Sequence, residues 1–145
     1  MKPFEILDIS GDIGLRSFGK TVQEAFVNAA IGMYSLITDT GKIEEKKSID
    51  VSLENDSLDS LLVAWLNELV FHFDAYGFIG QKISITESDL EPAILKSYRL
   101  NAVLSGEEFD PDRHESRLLI KAATYHRLRI AKVNDTWQID VIFDI

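Results

Sequence analysis

The chain has 145 residues, no cysteine, and 24 acidic against 15 basic side chains, a formal charge of −9. That length suits a single domain over residues 1–145 with an adequate core, and the lack of thiols excludes disulfides, cysteine-based zinc and iron–sulfur sites and thiol nucleophiles. The acidity disfavours holding RNA by phosphate neutralisation and favours cation binding or docking on a basic protein partner.

In chain order, the first feature is Asp8-Ile9-Ser10-Gly11-Asp12-Ile13-Gly14. Residues 1–6 before it carry neither a basic leader nor an apolar run, and no later stretch approaches the roughly 20 apolar residues of a membrane span. A cytoplasmic protein with no membrane association is expected. Gly11, Gly14 and Gly19 lack the lysine of a P-loop and the spacing of a dinucleotide site, so no phosphate cradle is expected either.

Thr21-Val22-Gln23-Glu24 has the form of a capping box, in which the threonine hydroxyl accepts from the Glu24 N–H and the Glu24 carboxylate reaches back. Val22, Phe26, Ala29, Met33 and Ile37 then recur at helical spacing and predict a helix ending before Asp39-Thr40-Gly41. Residues 49–53 alternate as a strand. A second helix is expected from Asp56 or Ser57, with Leu62, Trp65, Leu66, Leu69 and Phe73 as its apolar stripe and Gly77 as its stop. Both aromatic stripes read as core.

Residues 83–86 and 98–104 read as strands because β-branched and apolar residues alternate there. Residues 118–133 and 137–145 predict a long closing hairpin turned at Asn134-Asp135. In its second strand Trp137, Ile139, Val141 and Phe143 share one face, and Gln138, Asp140, Ile142 and Asp144 the other. Two amphipathic helices need a surface to cover, and a largely antiparallel sheet with one solvated face provides it. The expected class is α+β.

His72, His114 and His126 have no serine or second histidine at a spacing that defines a catalytic set. His72 reads as a helix residue, and Thr124-Tyr125-His126 as a strand or its bulge. The basic clusters, Lys42 with Lys46 and Lys47 and then Arg127 with Arg129 and Lys132, read as solvated charges flanking strands. No EF-hand loop is present. What remains is a set of carboxylates: Asp8, Asp12, Asp39 and the closing Asp144-Ile145. Acidic side chains are ordinarily solvated or capping groups. Here, however, a chain that ends on a well-formed strand pins its α-carboxylate beside Asp144, and two such anions repel unless a cation sits between them. Oxygen ligands of this kind select Ca²⁺, Mg²⁺ or Mn²⁺.

The segment at residues 8–14, followed by Thr21-Val22-Gln23-Glu24-Ala25-Phe26, resembles the Asp-His-Thr-Ala-Asp-Ile-Gly segment and Glu-Glu-Ala-Phe helix of the archease family. The resemblance continues through Leu36-Ile37-Thr38-Asp39, Trp65-Leu66-Asn67-Glu68-Leu69, Gly106-Glu107-Glu108-Phe109-Asp110 ahead of His114, Lys121-Ala122-Ala123-Thr124-Tyr125-His126 and Asp144-Ile145. It covers essentially the whole chain in order. The family's histidine, threonine and alanine in the opening segment are Ile9, Ser10 and Gly11 here; Asp12 is unchanged.

The resemblance implies a non-catalytic activator of a GTP-dependent tRNA-splicing RNA ligase, a factor that promotes guanylylation and repeated turnover of that enzyme and meets RNA only through it. It also implies a divalent cation, Ca²⁺ first, held by Asp12, Asp144 and Ile145, with Asp39 and Lys121 as residues acting toward ligase activation. Two other classes compete. A metal-dependent phosphoester hydrolase would use Asp12 and Asp144 to gather a cation that activates water, but the sequence offers it no general base and no phosphate-holding cation. A general chaperone would suit the acidity and leave the carboxylates without a task.

Overall fold

Both apolar stripes fold as helices and end where their capping residues lie. In the computed structural model, which describes residues 2–91 and 97–145, α1 spans Val22–Ile37 and α2 spans Leu58–Tyr76. Thr21 caps α1, its hydroxyl accepting from the Glu24 N–H at 3.1 Å. The reciprocal half of the expected box is displaced by one residue, since the Glu24 carboxylate accepts from the Lys20 N–H at 3.3 Å. Ser57 caps α2 through the Ser60 N–H, and Gly77 closes it with left-handed backbone, φ 70°. Val22, Phe26, Ala29, Met33 and Ile37 are all buried, as are Leu62, Trp65, Leu66 and Leu69; Phe73 packs at the margin of the core.

The strands are β1 (Phe4–Ile9), β2 (Asp12–Gly19), β3 (Lys47–Asn55), β4 (Phe78–Asp89), β5 (Tyr98–Glu108), β6 (Ala122–Ala123), β7 (Arg129–Val133) and β8 (Thr136–Asp144). The class is the expected α+β, with antiparallel pairing, but the strands divide between two sheets. One runs β1-β2-β8, with β6 and β7 along the far edge of β8; the other runs β3-β5-β4. Both contribute to one apolar core, in which Leu15, Val141 and Phe143 of the first sheet join Val51, Leu100 and Leu104 of the second around the helices. Among the described residues no helix is long and apolar enough to cross a membrane.

Polar groups that enter this core are used as ties. The Trp65 indole N–H donates to the Phe26 carbonyl at 3.0 Å, joining α2 to α1. The Ser17 hydroxyl donates to the Ala25 carbonyl at 2.9 Å, joining β2 to α1. Asn67 covers edge strand β6: its Oδ1 accepts from the Ala123 N–H at 2.7 Å and its Nδ2 donates to the Ala123 carbonyl at 3.3 Å. The side-chain amide thus supplies the two bonds that a neighbouring strand would make.

The closing hairpin differs from the sequence expectation. β7 and β8 do turn at Asn134 and Asp135, both at positive φ (51° and 63°), as a two-residue hairpin requires. Residues 118–133, however, are not one strand. Ala123 pairs with Phe143 and Arg129 with Asp140, so residues 124–128 stand against residues 141–142 alone. This excursion closes on itself: the Thr124 hydroxyl donates to the Ile142 carbonyl at 2.8 Å, Arg127 adopts φ 55°, and the Leu128 N–H donates to the Tyr125 carbonyl. Local side-chain and turn bonds outcompete the ladder here.

Candidate functional site

Asp12 opens β2, immediately after the Ser10-Gly11 turn, whose residues lie at φ 50° and 88°. Ile13 pairs with Phe143 and Gly14 with Ile142. The pairing ends at Ile13 and Phe143; carried one step further, that register would set Asp12 opposite Asp144, and side chains opposite each other on adjacent strands share a face at roughly 5 Å between Cβ atoms. The face is fixed by burial. Ile13, Leu15 and Ser17 of β2, and Ile139, Val141 and Phe143 of β8, turn toward the helices, so Asp12, Arg16, Asp140 and Asp144 turn the other way.

Charge along this outward face is balanced in one place and not in the other. Arg16 pairs with Asp140 in the register, and its guanidinium grips that carboxylate at 2.8 and 3.0 Å. The bond to Asp140 raises the Arg16 pKa above its ordinary value. Asp12 and Asp144 are exposed, and among the described residues neither has a lysine, arginine or histidine within ion-pair distance. Ile145 follows Asp144 outside β8 and is half exposed.

The remaining predicted residues come near this end of the sheet without joining the pair. Asp8 lies opposite Ile13 and therefore on the other face. α1 runs back along β2, from Ser17 beside Ala25 to Leu15 beside Gly32, so its C-terminal end points toward the Asp12 end of β2, and Asp39 follows it into a turn that lies against β4. There Asp39 has a local task, its Oδ1 accepting from the Gly41 N–H at 3.1 Å to cap a short 3-10 turn. Lys121 donates its backbone N–H to the Asp144 carbonyl at 2.8 Å. Among the described residues no three His, Cys, Asp or Glu side chains gather closely enough to hold a metal. A cation here would rest on two carboxylates and main-chain oxygen, a donor set suited to hard ions.

Sequence reasoning missed a second charged cluster, built on Glu107. This glutamate is only 3% exposed, and its carboxylate takes bonds from the Arg113 guanidinium and from the Glu44 N–H, the latter at 2.6 Å, with the Lys46 ammonium 3.8 Å away. His114, also 3% exposed, accepts the Asp110 N–H on Nδ1 at 2.8 Å. Its proton is therefore on Nε2, which faces Glu107 at 3.3 Å. The Asp110-Pro111-Asp112 turn folds Arg113 and His114 back over Glu107, and that Asp-Pro-Asp signal was available in the sequence. A cleft of about 520 Å³ opens beside the cluster, but the carboxylate is already engaged from several sides, which makes it a clamp on residues 107–114.

Chiefly through Arg113, this setting holds the Glu107 carboxyl down to about 2 from its ordinary 4.5. Because the folded value lies below the unfolded one, the clamp stabilises fully above about pH 4.5 and is lost as pH falls toward about 2. Urea denaturation at stepped pH should show the wild type losing more stability across that window than Glu107→Gln. Parallel pH curves would refute the assignment.

The chain matches the profile of the Archease protein family (MTH1598/TM1083) over residues 4–145. It is 37% identical to the protein archease of Methanosarcina acetivorans over 144 residues, 99% of this chain and 97% of that one. It is 32% identical to the protein archease of Sulfurisphaera tokodaii, with both chains fully covered. The solution structure of Methanobacterium thermoautotrophicum protein 1598 superposes with a TM-score of 0.83 at 31% identity over the whole of both chains. The crystal structure of a Thermotoga maritima protein described as an archease and possible chaperone gives 0.63 at 16% identity, covering 96% of this chain and 94% of that one, and shares the fold.

Proposed function

The chain belongs to the archease family, and from that membership we propose that it is a non-catalytic accessory protein of a GTP-dependent tRNA-splicing RNA ligase. It promotes the ligase's guanylylation and repeated turnover. Asp12 and Asp144, with main-chain oxygen of Ile145, hold a divalent cation, Ca²⁺ by preference, and Asp39 and Lys121 act toward the partner. A bound cation supplies positive charge to two carboxylates that no basic side chain pairs with among the described residues. RNA is met through the ligase, since a chain of net charge −9 is poorly suited to gripping phosphates by itself.

The observation that carries this reading is the contrast on the outward face. Arg16 neutralises Asp140, whereas Asp12 and Asp144, which adjoin the terminal Ile13–Phe143 pair of the same two strands, have no such partner among the described residues. Like charges facing each other across a strand pair are unfavourable, and a divalent ion reverses that sign. The chaperone description of the Thermotoga protein offers a second reading, and one assay separates the two. In multiple-turnover ligation with the cognate ligase, a substoichiometric amount of wild-type protein should raise product well beyond one per ligase, and Asp12→Ala should fall near the unstimulated level. Absence of stimulation by the wild type would remove the accessory reading.

A further inference from the structure

α2 carries Asp59, Glu68 and Asp74 and no lysine or arginine over its 19 residues. Near its C-terminal end this acidic helix presents two aromatic rings to solvent, with Phe71 53% and Tyr76 61% exposed. The rings are organised. Phe71 stands edge-on to His72 with centroids 5.7 Å apart and to Tyr76 at 6.0 Å, and His72 lies 5.7 Å from Tyr76. Nε2 of His72 is in turn 3.3 Å from the Glu68 carboxylate.

Beside the cluster lies a groove of about 390 Å³ lined by Asn67, Val70, Phe71, Asp74, Lys121 and Ala122. Its walls are fixed. Asn67 is bonded to Ala123 in both directions, and Lys121 donates its N–H to the Asp144 carbonyl. The groove is therefore continuous, through the backbone of Lys121, with the strand end that bears Asp144.

We propose that this groove and its aromatic rim receive a protein segment that offers an apolar side chain flanked by lysine or arginine; the proposal rests on the accessory reading, which makes the partner the RNA ligase. Exposed aromatics on a rigid element are the residues that most often anchor a protein interface. The charge decides among occupants. A second copy of a chain carrying −9 would set acidic helix against acidic helix, and a nucleic acid would set phosphates against the same carboxylates. A basic segment meets Asp74 on the helix wall of the groove, with Glu68 one turn from His72 and beside it. Lys121 on the opposite wall turns the segment's positive groups toward the helix side, while the segment's apolar side chain fills the space beside Phe71. Docked there, the partner is held against the end of β8.

The test measures binding of the purified ligase to the full-length chain by titration at about 50 and 300 mM salt. Wild-type affinity should fall as salt rises, because complementary charges at the rim are screened. Phe71→Ala/Tyr76→Ala should weaken binding at least about tenfold with its melting temperature kept, since both side chains are more than half exposed. Asp74→Lys, a charge change on an exposed residue, should weaken it several-fold. Wild-type binding that survives in the double variant overturns the docking face and leaves the accessory reading standing. Absence of binding by the wild type overturns both. Self-association of the wild type that vanishes in the double variant assigns the face to a second copy and overturns the proposal.

Discussion

Replacing Trp65 with alanine should destabilise the fold by about 3–5 kcal/mol and lower its melting temperature on the order of 10 °C. Trp65 is fully buried, and its ring fills the space between the helices. Alanine removes nearly all of that apolar volume, and a well-packed surround collapses only partly around the cavity. The indole N–H adds a smaller contribution. It donates to the Phe26 carbonyl, but that carbonyl sits inside α1 and can keep its helical partner. Trp65→Phe, which retains an aromatic body and loses the donor, should cost about 1–2 kcal/mol. Urea unfolding monitored by far-ultraviolet circular dichroism gives both values. A loss below about 1.5 kcal/mol for Trp65→Ala would mean that the helices are not packed through this ring.

On the proposed cation corner, calcium should stabilise the wild type and neither Asp12→Ala nor Asp144→Ala. A ligand that binds only the folded state stabilises by about 2.7 kcal/mol at a concentration one hundred times its dissociation constant. For a chain of this size that raises the melting temperature on the order of 5–10 °C. Removing either carboxylate takes away a ligand charge and leaves the core untouched, since both side chains are exposed. The variants without calcium should in fact melt at or slightly above the wild type, because a like-charge pair across the strands has been relieved. Thermal melts with calcium and with a chelator decide the matter. Equal calcium shifts in all three proteins would remove Asp12 and Asp144 as ligands, and variants that melt well below the wild type in chelator would show that these residues serve the fold.

The helices were readable because each level of the sequence agreed with the next. Thr21 and Ser57 cap runs whose apolar residues recur at helical spacing, and Gly77 has the freedom that a left-handed cap needs. The face carrying Asp144 was readable too, from the alternation of Trp137, Ile139, Val141 and Phe143 with Gln138, Asp140 and Asp144, although Ile142 on that polar face is itself only 5% exposed. The β1–β2 hairpin was not. β2 places a serine, Ser17, toward the core and a glycine at position 14, where an added Cβ would come within 2.6 Å of Ile142 Cδ1, so both faces of the alternation that Ile13 and Leu15 begin are interrupted. What local pattern could not supply was the neighbour of Asp144. That Asp12 comes to the same end of the sheet follows from pairing between β2 and β8, a relation between distant segments that propensity and periodicity do not encode. The Glu107 clamp escaped for a similar reason: its parts at 44, 46, 107, 113 and 114 are gathered by turns.

The pairing of β2 with β8 also sets a timetable. Residues near 13 wait for residues near 143, and during synthesis the β1–β2 hairpin leaves the ribosome long before its other neighbour exists. Through that interval the β2 edge that β8 will occupy has open N–H and C=O groups, beside Leu15 and Ile13, whose apolar side chains belong to the core. α1, which follows directly and packs on β2 through Ser17 and Gly32, is the element able to shelter those side chains meanwhile. Closure is then a late event between distant segments, of the kind that makes folding slow. Asp12 and Asp144 are brought to the same end of the sheet only at that moment, so whatever the two aspartates do together is withheld until β8 has been made.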